Sequence, residues 1–205
     1  MMKIFENNHY VAVNKPRGIE TSELARKLDL LPCHRLDKNT MGLLFFAKSK
    51  DAEKQWILET KEAKIVKTYQ TLVFGQPTFE SQLLKAYLSK DSERSKVRTS
   101  IRPLPRSTQI DTYVRFLDQV TPDIALLEIQ IKSGQTHQIR AELARIGLPI
   151  VGCDVYGDFT LNKKFGKKGQ LLYATTINFM GNLKYLNKER INARPNWKSE
   201  IREIL

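Results

Sequence analysis

The stretch that most constrains the fold is Gly42-Leu43-Leu44-Phe45-Phe46-Ala47-Lys48. Its apolar run, opened by glycine and closed by lysine, is too short for a free-standing helix and suits a strand covered on both faces. The polar loop before it carries Arg35, Asp37, Asn39 and Thr40, which therefore sit at the lip of a rigid element. Such a place holds a reactive carboxylate steadily while leaving it open to substrate. Read alone, an aspartate followed by Lys-Asn-Thr is more ordinarily a turn or cap residue bonded to its own backbone.

The rest of the chain supplies both helices and strands. His9–Pro16 reads as a strand stopped by proline. Thr21 or Ser22 can cap a helix through about Leu30, with Leu24, Leu28 and Leu31 spaced for one face. Asp51–Lys61 is helical, with Ala52, Trp56 and Leu58 turned inward, and Lys64–Phe74 is a strand. Ser81–Leu88 is apolar-rich without a clear period. Asp111–Phe116 and Ala125–Lys132 form a strand pair around a turn at Asp118–Asp123, since Leu127, Ile129 and Ile131 alternate with polar residues. Gln135–Gly147 is a helix with Ile139, Leu143 and Ile146 as its buried stripe and Gly147 at its end. Arg140, next to that stripe, is either a surface arginine snorkelling over the core or one whose shielded stem carries its head to a partner. The tail from Leu183 ends in a basic helix capped by Asn196, which either packs on the core or binds a polyanion.

A chain of 205 residues can bury a full core as one domain or one bilobed domain. Its 34 Lys and Arg against 22 Asp and Glu leave a net charge of +12, for which a polyanion partner is the economical explanation. The basic stretches Arg94–Arg98 and Arg102–Arg106, and the loop with Lys163, Lys164, Lys167 and Lys168, can follow such a backbone or form a solvated face. There is no apolar signal region and no run of membrane-spanning length, so no membrane association is expected. Cys33 and Cys153 show no Cys-x-x-Cys spacing, which fits free thiols in a reducing cytoplasm. Cys33 and His34 are adjacent in an extended segment and point to opposite faces, which argues against a thiol–imidazole pair. Histidines at 9, 34 and 137 give no metal-site spacing.

His34-Arg35-Leu36-Asp37-x-x-Thr40-x-Gly42-Leu43-Leu44-x-x-Ala47-Lys48 resembles the signature of the RluA-type pseudouridine synthases, in which the aspartate is catalytic. Met41 stands where that family usually has serine. Val13-Asn14-Lys15-Pro16 resembles the opening of the family's catalytic domain. Lys67-Thr68-Tyr69, with Gly75 downstream, resembles its second motif, and Gly134-x-Thr136-His137-Gln138-Ile139-Arg140 its third, with Gln135 in place of the usual arginine. Leu148–Gly157 is similar to the segment crossing the cleft floor. Leu171–Ala174 is similar to the last motif, with Tyr173 where histidine is commoner. The likeness spans roughly residues 10 to 180, with its motifs in the family's order.

The resemblance implies an α+β fold: a large, mixed, mostly antiparallel sheet flanked by helices with a central RNA-binding cleft. Residues 1–205 would form a single catalytic domain without an N-terminal accessory RNA-binding domain. It implies isomerisation of uridine to pseudouridine in structured tRNA or rRNA by base flipping, without metal or cofactor; the cysteines place this in the cytoplasm, and with no hydrophobic patch visible in the sequence a monomer is expected. Asp37 would be catalytic and Tyr69 the ring on which the base stacks. Arg140 would pair with the aspartate, and Leu172 would cover the base. Lys67 and His137 would contact RNA, and Arg35 would fill the gap left by the flipped nucleotide or grip its phosphate. The competing readings are a catalytically silent RNA-binding or RNA-chaperone relative, and a basic ribosome-associated structural protein with no pocket. Met41 and Gln135 keep the first of these open.

Overall fold

The computed structural model describes residues 2–91, 96–166, 169–181 and 183–203. Arg94, Ser95, Lys167 and Lys168 of the basic loops, and Leu205 at the end of the tail, lie outside them. In chain order the strands and helices begin β1 (Met2–Glu6), β2 (Tyr10–Lys15), α1 (Thr21–Leu28), β3 (Leu31–Pro32), β4 (Met41–Ala47), α2 (Lys50–Lys61) and β5 (Ile65–Phe74). They continue β6 (Ser81–Asp91), β7 (Lys96–Ser100), β8 (Thr108–Thr121), β9 (Ile124–Ile131) and α3 (Gln138–Arg145). The last are α4 (Phe159–Lys164), β10 (Leu172–Phe179), β11 (Arg190–Asn192) and α5 (Trp197–Arg202). The class is α+β, and the strand pairing is mixed but mostly antiparallel. The chain packs as two compact units, Met1–Tyr69 with Tyr173–Pro195, and Gln70–Leu172 with Asn196–Leu205.

In the first unit β4 is the central strand, as its apolar run requires. From Leu43 to Ala47 it is fully buried. It pairs antiparallel with β2 from Tyr10↔Ala47 to Lys15↔Gly42, antiparallel with β3, and parallel with β10 at Tyr173↔Met41. Helix α2, capped by the Ser49 side chain, lays Trp56 on this sheet. The indole meets Phe45 at 4.9 Å, Tyr10 at 5.6 Å and Phe179 at 6.0 Å between ring centroids. Positions 52, 56 and 59 share the buried face, so Glu59 is buried, accepting from Gln55 and from the Lys184 backbone. Leu58, expected inside, is 52% exposed, because one residue short of the i, i+3 position points away from the sheet.

Helix α1 begins at Thr21 after Glu20, without a side-chain cap. The expected Ser/Thr cap is replaced by another use: the Thr21 hydroxyl donates to the Leu36 carbonyl and accepts from the Leu36 amide.

The second unit carries an antiparallel sheet, with β6 between β7 and β8, and β8 against β9. Ser81–Leu88 is thereby resolved as strand. The β8–β9 turn is tighter than expected, because β8 runs on to Thr121 and pairs there with Ile124. One apolar cluster gathers Leu72, Phe74, Ile124, Val151 and Leu171, with Trp197 and Ile201 of α5 packed against it. Asn196 caps α5 as the tail sequence implied. A second cluster joins Ala86, Leu88, Val97 and Ile110 to Ala141 of α3. Helix α3 starts at Gln138, three residues later than the motif suggested. Its Gln138 side chain, buried, donates to the Asp111 carbonyl and the Thr112 hydroxyl, and accepts from Ser133 and the Gln135 amide. Those bonds hold residues 133–137 as a loop.

Candidate active site

Asp37 lies on the loop between β3 and β4, half-buried, and its backbone carbonyl accepts from the Thr40 amide at 3.0 Å. That turn is the bland role expected of such an aspartate, and it is made by the main chain. The loop is fastened on both sides of Asp37. Leu36, buried, is held by Thr21 at 3.0 and 3.1 Å. The Lys38 carbonyl accepts from the Gly18 amide at 2.9 Å and from the Lys15 ammonium at 2.9 Å.

Lys15 is the main feature missed in the sequence. It is 0% exposed, and its Nζ also donates to the carbonyls of Pro16 (3.0 Å) and Ile19 (2.8 Å). Burial pushes its pKa down to about 8, against the charges of Glu20 and Asp37, which favour the ammonium. A lysine closing an apolar strand just before a proline was its only sequence signal.

Tyr69 is buried on β5 with its phenol pKa pushed well up, first by burial and second by the negative charge of Asp37. These two expected residues therefore interact electrostatically, and the tyrosine keeps its proton at neutral pH. Tyr173 on β10 pairs in register with Met41 and donates from its hydroxyl to Asn14 Oδ1 at 2.8 Å. Gly42 has φ +103°, and a Cβ there would overlap the Ala174 backbone and the Tyr173 ring. That close approach is why glycine opens β4.

His34 is a structural residue. Its Nε2 accepts from the Phe45 amide at 3.2 Å, its ring stacks 6.0 Å from Trp56, and burial with the Lys67 charge lowers its pKa to about 3. The Cys33 thiol pKa is pushed up by burial and its amide donates to Phe45 O, so the two side by side are no nucleophile–base pair. Arg35 is exposed and borders a cavity of about 430 Å³ with Thr21, Ser22 and His34. Lys67 is buried in β5, where desolvation lowers its pKa.

In the second unit Arg140 is only 5% exposed, which rules out the snorkelling surface arginine. Its guanidinium donates to Asp154 Oδ1 at 2.7 Å and lies 5.5 Å from the centre of the Tyr156 ring. His137 precedes α3 in a left-handed conformation (φ 54°), with Nδ1 3.1 Å from the Tyr156 hydroxyl. The structure thus brings His137 and Arg140 together around two residues, Asp154 and Tyr156, that the sequence had placed only in a connecting segment. Leu172 is buried at the start of β10. Among the described residues there is no group of three or more His, Cys, Asp or Glu placed to hold a metal ion, and no helix long and apolar enough to cross a membrane.

An aspartate on a triply anchored loop, close enough to a buried phenol to act on it electrostatically, can do electrostatic or nucleophilic work on a bound ring. The family model for RNA pseudouridylate synthase matches residues 9–145, and the chain belongs to that family. A tRNA pseudouridine synthase C of Vibrio parahaemolyticus is 30% identical over 208 residues, covering 86% of this chain and 83% of that protein. A ribosomal large subunit pseudouridine synthase C of Buchnera aphidicola is 31% identical, covering 87% and 62%. An uncharacterized RNA pseudouridine synthase of Chloroflexus aurantiacus is 39% identical over 124 residues, which is 60% of this chain and 38% of that protein. The chain thus spans under two thirds of the length of several curated relatives. The solved structure of human RNA pseudouridylate synthase domain containing 1 superposes with a TM-score of 0.79 at 18% identity, covering 95% of this chain and 82% of that one; it shares the fold.

Proposed function

We propose that this protein is an isomerase that converts uridine to pseudouridine in structured RNA, with Asp37 as the catalytic residue. The observation that carries the proposal is Asp37 on its anchored loop, acting electrostatically on the buried phenol of Tyr69. Names of relatives that act on tRNA and on the large ribosomal subunit support a tRNA or rRNA substrate. The reaction breaks the N1–C1′ bond and joins C1′ to C5; the C5 hydrogen leaves as a proton and N1 gains one, so the product is an isomer. No step needs an external oxidant or a cofactor.

The base must leave its stack before either atom can react. Cleavage builds positive charge on the sugar, which the Asp37 carboxylate stabilises or attacks. Tyr69, holding its proton, offers a ring face and a hydrogen-bond donor rather than a base. Arg140 is assigned as the cation that keeps the aspartate ionised and aimed. Leu172 covers the base, Arg35 and His137 contact the RNA, and Lys67 supports that binding from within the fold. Arg35, exposed beside its cavity, is free to do so directly, whereas buried Lys67 acts through its charge. The protein works as a cytoplasmic monomer, with residues 1–205 as one catalytic domain. Asp37→Ala should abolish pseudouridine formation while RNA affinity stays within a few-fold of wild type. Undiminished conversion in that variant would overturn the assignment, and RNA binding without conversion by the wild type would mark a silent binder.

A further inference from the structure

In the second unit one phenol joins three elements. Tyr156 packs against the cluster of Ala86, Leu88, Val97, Ile110 and Ala141. Its hydroxyl accepts from the Val97 amide on β7 at 2.7 Å and lies 3.1 Å from His137 Nδ1, while its ring faces the Arg140 guanidinium. Among the described residues of this unit β7 pairs with β6 alone, so it stands at the sheet's edge, and its Val97 amide goes to the phenol. The left-handed backbone of His137 is one that a β-carbon disfavours, and such a conformation persists where the surroundings fix it.

We propose that Tyr156 is a positioning residue for Arg140, and that its hydroxyl ties that arginine and His137 to the basic edge strand β7. This rests on the assignment of Arg140 to the active centre made above. The ion pair with Asp154 engages one guanidinium nitrogen, and its partner side chain is itself 60% exposed. A ring face on a second side restricts the planar guanidinium. The side chain in turn cannot swing about its Cα–Cβ bond without breaking the bonds of its hydroxyl. On β7 the neighbours of Val97 are the exposed Lys96 and Arg98, and exposed Arg102 and Arg106 follow. Phosphates gripped by these cations would bear on the Val97 backbone, and through Tyr156 on the aim of Arg140.

Two variants separate this from a packing role. Tyr156→Phe keeps the ring and removes the hydroxyl. Val97→Pro leaves the tyrosine and removes the N–H donated to it, at an edge position where proline is tolerated; it also trims a buried valine, a packing loss that the unfolding temperature reports. The assay is tritium release from [5-³H]uridine-labelled RNA of cells lacking the gene, run with RNA affinity and thermal unfolding. Both variants should lose roughly 10- to 100-fold in kcat, the cost of a misaimed group. KM should stay within about twofold, the signature of a loss confined to the transition state. Unchanged kcat in both overturns the inference while leaving the proposed function intact, and so does a kcat loss that tracks a lowered unfolding temperature. A wild type that releases no tritium overturns the function itself, and this inference with it.

Discussion

Replacing Lys15 by methionine should separate activity from stability. The substitution keeps the stem and removes the ammonium that donates to Pro16, Ile19 and Lys38. All three carbonyls lose the lysine donor, but Lys38 O keeps its bond from the Gly18 amide, so the cost falls on the other two, at about 1–3 kcal/mol each. Against this, burying the charge has lowered the lysine pKa from 10.5 to about 8, a cost of about 3 kcal/mol at neutral pH that methionine does not carry. The two effects largely offset each other, and urea unfolding should shift by no more than about 3 kcal/mol. The loop bearing Asp37 loses its charged anchor, however, and a displacement near 1 Å costs on the order of 100-fold in rate. The pH dependence has a definite sign. Between about 8 and 10.5 the unfolded chain holds the lysine proton and the folded chain does not, so this group's contribution to stability rises with pH across that window. Activity should move the opposite way: wild-type kcat falls as pH passes about 8, when Asp37 loses the nearby cation, and Lys15→Met lacks that limb. Activity close to wild type in Lys15→Met, or a loss of activity explained by global unfolding, would refute the reasoning.

Two further outcomes follow from the same geometry. Asp37→Asn should lower the Tyr69 phenol pKa, because the Asp37 charge is the second cause of its elevation after burial; ultraviolet titration of tyrosinate checks this, and an unmoved curve would place the carboxylate elsewhere. Gly42→Ala meets both a φ of +103° and the Ala174 backbone, so it should destabilise by about 2–6 kcal/mol in urea unfolding.

Much of the loop bearing Asp37 could be read from sequence because its support is local. Leu43–Ala47 is apolar without interruption, and that alone specified a covered strand with Asp37 at its entrance. The same logic placed Trp56 and Ala52 on one helix face and the alternating residues of β9 on one sheet face. What escaped depends on contacts between residues distant in the chain or on exceptions to propensity. Thr21 looks like a helix cap, yet its hydroxyl is spent on Leu36, fifteen positions away. Lys15 looks like a solvated end of a strand, but carbonyls from three later residues enclose it. The helix of the third motif starts late because Gln138 bonds back to the loop and His137 takes a left-handed turn. Asp154 and Tyr156 carry no local signal, since their meaning comes only from the arginine they meet.

The most direct test is pseudouridine mapping by carbodiimide-blocked reverse transcription on RNA from cells with the gene, without it, and complemented with wild type or Asp37→Ala. A stop that disappears on deletion, returns with the wild type and stays absent with Asp37→Ala is the predicted result, and it names the substrate uridine. A stop restored equally by Asp37→Ala would contradict the central claim.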